Sequence, residues 1–360
     1  MHSMINQNIT ALSDEAVSLL KQLIACPSFS REENNTATII ESFLRSKEVE
    51  TNRLVNNVWA VNKYYDTTKP SILLNSHHDT VKPNKDYTNN PFNSFTTDGK
   101  LFGLGSNDAG GCLVSLIAAF LYFYDHKDLK YNLVLAATAE EEISGINGIT
   151  ALLPVLGVFD AAIVGEPTLM QMAVAEKGLM VLDCTAHGSS GHAARDEGDN
   201  AIYKALDDIA WIRNYQFPKV SPFLGPVKMS ATIINAGTQH NVVPALCTFT
   251  VDVRINECYT HEEILQIVQQ NIQSEVVPRS MRLRSTSIAA DHPLVISGTA
   301  LGLSSFGSAT LSDKSLMPFP ALKLGPGDSA RSHMADEYIF LHEIPHGIDI
   351  YIQLLKNILL

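Results

Sequence analysis

What this 360-residue chain has little of narrows its function first. Positive charge is scarce: 26 Lys and Arg stand against 38 Asp and Glu, giving a formal net charge of -12 and a pI near 5.4. Nucleic acids and anionic membrane surfaces select basic patches, so neither is an expected partner. Cysteine is sparse and unpatterned. Cys26, Cys112, Cys184, Cys247 and Cys258 are odd in number, lack CxxC spacing and sit among apolar or strand-like neighbours. They read as reduced core thiols, and the expected compartment is the cytoplasm. Residues 1–10 are polar and lack both the basic start and the apolar stretch of a secretory signal, so no export is expected. The longest near-apolar run, residues 112–124, falls short of a membrane span and ends in Asp125, His126 and Lys127, as a buried helix would. No short-period repeat or low-complexity tract is found.

What is present is a globular composition, 45% apolar and 18% charged, long enough for a sizeable core and two domains. Four apolar runs each stop at metal-binding or acid–base side chains. Residues 71–75 precede His77 and Asp79, residues 101–105 precede Asp108, residues 131–138 precede Glu140, Glu141 and Glu142, and residues 161–165 precede Glu166. Read as strands of one sheet, they would bring their carboxyl ends to a common edge, where open α/β sheets bind ligands.

The order of signals divides the chain. Helices over 15–25 and 35–46 lead into alternating strands and helices, an α/β layout. From about residue 175 the order becomes strand (178–186), helix (200–213), strand (228–236), strand (246–256), helix (261–273) and strand (282–288), which is the βαββαβ order of a ferredoxin-like domain. Ile202, Leu206, Ile209 and Ile212 recur at helical spacing, while Cys247, Phe249, Val251, Val253 and Ile255 alternate with polar residues as in a half-buried antiparallel strand. A strand over 321–324 and a helix over 344–360 rejoin the first layout. The expected domains are therefore residues 1–174 with 290–360, and an inserted domain of residues 175–289.

His and several carboxylates without a thiolate suit zinc, cobalt or manganese in a catalytic site. Two ions are the economical reading, because a hydrolytic pair sits roughly 3.5–4 Å apart and shares a bridging carboxylate. Asp108, within the turn of Gly103, Gly105, Gly110 and Gly111, is the candidate bridge. The His77-x-Asp79 spacing fits a ligand and the acid that fixes its tautomer. Glu140, Glu141 and Glu142 cannot all point one way, so one binds metal and a neighbour stays free as a general base. His78 is expected to point to the opposite face from His77.

The ordered motifs Ser-His-His-Asp-Thr-Val at 76–81, Gly-Leu-Gly-Ser-Asn-Asp-Ala-Gly-Gly at 103–111, Thr-Ala-Glu-Glu-Glu at 138–142, Gly-Glu-Pro-Thr at 165–168, His-Gly-Ser-Ser-Gly-His at 187–192, Asn-Val-Val-Pro at 241–244 and Gly-Pro-Gly-Asp…His at 325–333 span nearly the whole chain. Together they resemble the dinuclear zinc deacylase and exopeptidase family, which includes acetylornithine deacetylase, succinyl-diaminopimelate desuccinylase, aminoacylase and glutamate carboxypeptidase. Two departures are Ala109-Gly110-Gly111 where many relatives carry Met-Lys-Gly, and Glu140 where Asp is usual.

The resemblance implies an α/β fold: a zinc-exopeptidase-like catalytic domain with a mixed sheet flanked by helices, and an inserted ferredoxin-like α+β dimerisation domain. It implies two Zn2+, with Co2+ able to substitute, held by His77, Asp108 and Glu166 and by Asp108, Glu142 and His333. Glu141 would be the general base and Asp79 the orienting acid. His192 would reach a neighbouring subunit's site in a homodimer and stabilise the oxyanion, and Asn241 with Arg254 would grip a substrate carboxylate. The Gly-Pro-Gly-Asp run with Asp336-Glu337-Tyr338 resembles acetylornithine deacetylases most. The implied activity is removal of the acetyl group from an N-acylated amino acid, first N2-acetylornithine of arginine biosynthesis. The alternatives are succinyl-ornithine, succinyl-diaminopimelate, acetylcitrulline or a dipeptide. A catalytically silent scaffold would lack a ligand or the base, and none is missing.

Overall fold

The computed structural model describes residues 2–195 and 197–360, and the chain divides into two compact units. The first runs through Val174 and resumes with Ile288–Phe306 and Ser312–Leu360; the second comprises Ala175–Ser287 and Gly307–Leu311.

The first unit is built on a mixed sheet in the order Asn52–Leu54, Asn57–Val61, Asn132–Thr138, Ser71–His77, Ala161–Val164, Ala321–Lys323 and Met172–Glu176. Its centre is parallel and its flanks antiparallel. The central strands are buried without a break because both faces are covered. Ile72, Leu74, Leu133, Leu135, Ala161 and Ile163 face one apolar core. The intervening Leu73, Val134, Ala136, Ala162 and Val164 face another. This is the period-two alternation of a pleated strand expressed on two buried sides. The helix Gly111–Phe123 is buried along nearly its whole length against the first core, together with Glu343–Leu359 and the buried side of Asn34–Ser46. The stretch Ser106–Phe123 is apolar enough in length and composition to cross a membrane, yet 83% of it is buried inside the protein.

One expected strand lies elsewhere. Residues 101–105 do not join the central sheet; Lys100–Phe102 pairs with Phe95–Thr97 and Tyr338–Phe340 in a separate three-stranded sheet. Gly103 and Gly105, at φ 148 and 74, then turn the chain toward Asp108, so that residue arrives on a turn rather than at a parallel strand end.

In the second unit the sheet order is Lys228–Ala236, Leu246–Ile255, Gly178–His187 and Glu275–Pro278, all antiparallel. The helices Ala201–Asn214 and His261–Asn271 pack with one side of this sheet around Met180, Leu182, Cys184, Phe249, Val251 and Val253. Chain order and sheet order are those of a ferredoxin-like domain.

Two details correct the sequence reading. The last strand of this sheet is Glu275–Pro278, not residues 282–288, of which Thr286–Ser287 pairs instead with Ala175 and Glu176. The buried Asp208 carboxylate accepts Gln273 N–H at 3.0 Å and Ser274 N–H at 2.9 Å, which extends the chain directly after the helix. That demand also reorients the helix Ala201–Asn214. Ala201, Ala205, Asp208 and Ile212 are buried, whereas Leu206, expected inside, is 50% exposed.

Candidate metal centre

Strand ends, turns and a loop of the first unit bring six polar side chains together: His77, Asp108, Glu141, Glu142, Glu166 and His333. His77 closes the strand Ser71–His77 and is fully buried. Its Nε2 faces Asp108 Oδ1 at 3.2 Å, Glu166 Oε1 at 3.8 Å and Glu141 Oε2 at 4.0 Å. Its Nδ1 faces the Asp79 carbonyl oxygen at 3.0 Å and Asp79 Oδ1 at 3.4 Å. With a proton held on Nδ1 by Asp79, the Nε2 lone pair is directed among three carboxylates.

Asp108 presents one oxygen to each of two imidazoles. Oδ1 lies near His77, and Oδ2 lies 3.7 Å from Nε2 of His333. His333 Nε2 in turn approaches Glu142 Oε2 at 3.0 Å. The donor atoms of His77, Asp108 and Glu142 all fall within 4.8 Å of one another, as do those of His77, Glu141 and Glu166. Nitrogen and carboxylate oxygen donors around a central shared carboxylate fit a pair of divalent cations better than any direct hydrogen-bond scheme, because carboxylates alone repel.

The acidic turn is fixed through its backbone. Glu140 has φ 55, and a single 3-10 turn follows over Glu141–Ile143. Asp79 Oδ1 accepts Glu141 N–H at 3.0 Å, and Asp79 Oδ2 accepts Glu142 N–H at 3.1 Å and the Ser30 hydroxyl at 2.7 Å. Glu140 turns away, its carboxylate accepting the Asn147 side-chain amide at 2.9 Å and backbone N–H at 3.3 Å. Thus Glu141 and Glu142 face the cluster while Glu140 does not.

Burial and these neighbours set the proton affinities. Burial raises Glu141 well above the usual carboxylate range, and Glu166, Asp313 and Glu142 push the same way against His77. The hydrogen bond that His333 donates to the Glu142 carboxylate lifts its pKa to about 9 against the opposing effect of burial. Burial works against ionisation of Asp79, but hydrogen bonds from His77 and Ser30 prevail and hold its pKa down. His78 points elsewhere: its ring meets Thr36 Oγ1 and the Asn56 carbonyl oxygen, each at 2.9 Å, and burial lowers it to about 4.

His192, Asn241 and Arg254 belong to the second unit. The exposed His192 lies on the short strand Gly191–His192, paired with Val242–Val243, and its Nδ1 accepts Ala194 N–H at 3.1 Å. Asn241 joins the same ladder, its carbonyl accepting Ala193 N–H at 3.0 Å. Arg254 sits one residue from the far end of the ten-residue strand Leu246–Ile255, with Asp252 accepting from Nε at 2.8 Å and from a terminal nitrogen at 3.1 Å. Within this unit Arg254 is therefore engaged by a neighbour, and most of a strand separates it from Asn241.

Three buried carboxylates around the centre escaped the sequence reading. Glu33 accepts Glu140 N–H at 3.2 Å and the Asn56 side chain at 2.7 Å. Asp313 accepts the Thr138 hydroxyl at 2.7 Å. Glu337 accepts backbone N–H groups around Asp108. Only Glu337 stood in a noted motif. The others follow no spacing that separates them from surface acids.

Comparison with known proteins places this geometry. The model of peptidase family M20/M25/M40 matches residues 73–357. A succinyl-diaminopimelate desuccinylase of Beijerinckia indica is 27% identical over 70% of this chain and 71% of its own length. Among solved structures, aminopeptidase PepT of Bacillus cereus aligns with a TM-score of 0.78 at 16% identity, covering 96% of this chain and 98% of that one. The Bacillus subtilis YXEP protein, described as a dinuclear metal binding peptidase of the M20 family, aligns with a TM-score of 0.74 at 17% identity over 96% and 98% of the two chains.

Proposed function

Since this chain belongs to peptidase family M20/M25/M40, we propose that it is a metal-dependent amide hydrolase that removes the acyl group from an N-acylated amino acid. N2-acetylornithine is the first substrate reading, on the motif resemblance of residues 325–338. A succinylated amino acid such as succinyl-diaminopimelate is the second, favoured by the name of the Beijerinckia relative.

The observation that carries the reading is the placement of Glu141 beside His77 and Glu166 in a centre whose shared carboxylate, Asp108, faces two imidazoles. His77, Asp108 and Glu166 would hold one Zn2+, and Asp108, Glu142 and His333 a second, with Co2+ able to replace either. Such ions supply Lewis acidity and make water far more acidic than in bulk. Glu141 takes the proton from the attacking water and delivers it to the leaving nitrogen. Asp79 keeps the His77 tautomer and holds the backbone of the base and of Glu142 in one grip. His192 would donate to the oxygen of the tetrahedral intermediate. Asn241 and Arg254 would bind the substrate carboxylate, Arg254 by exchanging Asp252 for it.

His192 would serve a neighbouring subunit, so a homodimer is part of the proposal. The edge strand Lys228–Ala236 supports it: Ile233 and Ile234 are each 50% exposed, and Tyr203 on the helix Ala201–Asn214 is 67% exposed. Exposed apolar edge strands are otherwise blunted or covered. A cytoplasmic location accords with five free cysteines.

The test is a panel assay of the zinc- or cobalt-loaded protein with acetylornithine, succinyl-ornithine, acetylcitrulline, succinyl-diaminopimelate and a dipeptide. Fastest turnover of acetylornithine supports the first reading, and fastest turnover of a succinylated substrate the second. Dipeptide cleavage above all the acylated substrates overturns both. A fully active monomer in sedimentation overturns the role of His192 across subunits.

A further inference from the structure

Asp108 lies in a short π-type turn, Ser106–Gly110, whose backbone leaves helical angles at Asp108 and Ala109. Between the strand Lys100–Phe102 and the helix Gly111–Phe123 the chain makes a positive-φ turn at Gly105, and the backbone N–H groups of Gly105, Asn107 and Asp108 all point inward. A single buried side chain takes all three. Glu337, 2% exposed, accepts Gly105 N–H on Oε2 at 3.0 Å, and Asn107 N–H and Asp108 N–H on Oε1 at 2.8 and 2.9 Å. Its backbone carbonyl accepts Gly103 N–H at 3.0 Å. A carboxylate is suited to this because it has only acceptor sites on both oxygens, whereas an amide would turn two N–H groups toward one of these donors.

Glu337 also follows His333 by four residues, and a second tie joins the same two segments. The Asn107 side chain donates to the Asp328 carbonyl at 3.0 Å and accepts Asp328 N–H at 3.1 Å. The Asp108 turn and the His333 loop are thus locked to each other from both sides. His77 and Glu166 have a different support, since each stands at or just beyond the end of a central parallel strand.

We propose that Glu337 is a positioning residue for the ion site formed by Asp108, Glu142 and His333, setting the register between the turn that carries Asp108 and the loop that carries His333. The inference rests on the two-ion reading of the centre. Losing Glu337 frees the turn and separates Asp108 from His333, while His77 and Glu166 keep their sheet-anchored places. The two sites therefore respond unequally: the His333 side loses its ion first.

The experiment is calorimetric titration of metal-free protein with Zn2+, alongside the visible absorption spectrum on Co2+ loading, for the wild type, Glu337→Ala and Glu337→Gln. Circular dichroism of the metal-free forms checks folding, and the near-isosteric Gln variant carries the test where Ala does not fold. The expected result is two ions for the wild type. In each folded variant the ion on the His333 side should be weakened by roughly tenfold to a hundredfold, the usual effect of removing an outer partner of a metal site, and the other, which shares Asp108 but keeps His77 and Glu166, should be weakened less. The Co2+ spectrum should change, and kcat should fall with KM nearly unchanged. A variant that binds two ions as the wild type does, with an unaltered spectrum, overturns the positioning role and leaves the proposed reaction standing. A wild type that binds fewer than two ions overturns the two-ion reading and this inference with it.

Discussion

Nδ1 of His77 lies 3.0 Å from the backbone carbonyl oxygen of Asp79 and 3.4 Å from its Oδ1, while the same carboxylate accepts the N–H groups of Glu141 and Glu142. One side chain therefore fixes a candidate ligand, the candidate base and a second candidate ligand. Asp79→Asn keeps the size but turns an amide nitrogen toward one of those donors. Metal affinity or turnover is expected to fall by about 10- to 100-fold. Titration with zinc and a kcat measurement check this, and native values for both would refute the shared-anchor role.

Glu141→Gln should separate binding from chemistry. Glu141 lies 4.0 Å from His77 but belongs to neither proposed ligand set, so metal stoichiometry should survive. Hydrolysis should fall by roughly 10²- to 10⁴-fold with the loss of the proton acceptor. Turnover left intact would mean that another group takes the proton.

Gly325 is needed for close approach rather than for an unusual φ. A Cβ added there would lie 2.5 Å from the Glu166 carbonyl oxygen, 2.7 Å from Cys112 Sγ and 3.1 Å from Glu166 N. Two of those atoms are backbone of a candidate ligand and cannot swing aside. Gly325→Ala should therefore cost about 1–3 kcal/mol of stability, the range for an overpacked core, and should weaken metal binding as well. A melting curve and a metal titration at native values would show that the loop yields.

Much of this centre could be read from residue order. The runs ending at His77, Glu140 and Glu166 are unbroken because strands of a parallel sheet are buried on both faces, and a polar cluster at such an end is conspicuous. The Asp108 turn was harder: its glycines marked a turn, but the sheet to which Leu101 belongs depends on pairing with Ile339, more than two hundred residues away. Glu33, Asp313 and Glu337 were invisible as buried acids because their partners are mostly backbone N–H groups and a hydroxyl, which carry no sequence signature. The same cause hid the true face of the helix Ala201–Asn214, where Asp208 is buried by its bonds to Gln273 and Ser274 while Leu206 is left outside.

His261 should leave a trace in the pH dependence of stability. Burial lowers its pKa below 6.5, outweighing the hydrogen bond to the Leu179 carbonyl at 3.2 Å and the nearby Glu262. The unfolded chain then binds a proton that the folded chain refuses. Stability is full above the unfolded value and is lost as the pH falls from about 6.5 toward the folded value, with a slope of at most about 1.4 kcal/mol per pH unit for one group. His261→Gln keeps a donor and does not titrate. Its melting temperature should fall less than the wild type's between pH 7.5 and 5.5, and parallel curves would show that His261 is not responsible.

Removing the ions should loosen the first unit. Asp108, Glu141, Glu142 and Glu166 crowd around two imidazoles, and without cations the carboxylates either repel or must take up protons. An ion that binds only the folded centre stabilises it by mass action, about 2.7 kcal/mol at one hundred times its dissociation constant. Chelator should therefore lower the melting temperature, and added Zn2+ should restore it in proportion to the logarithm of the free ion concentration. The second unit supplies no residue to the proposed ligand set, so a melting step reported by Trp211, which packs against that unit's core, should move less than one reported by Trp59, which packs against a core of the first. Equal shifts at both tryptophans would place the stabilising ions outside the His77 and Asp108 centre or show that the units melt as one.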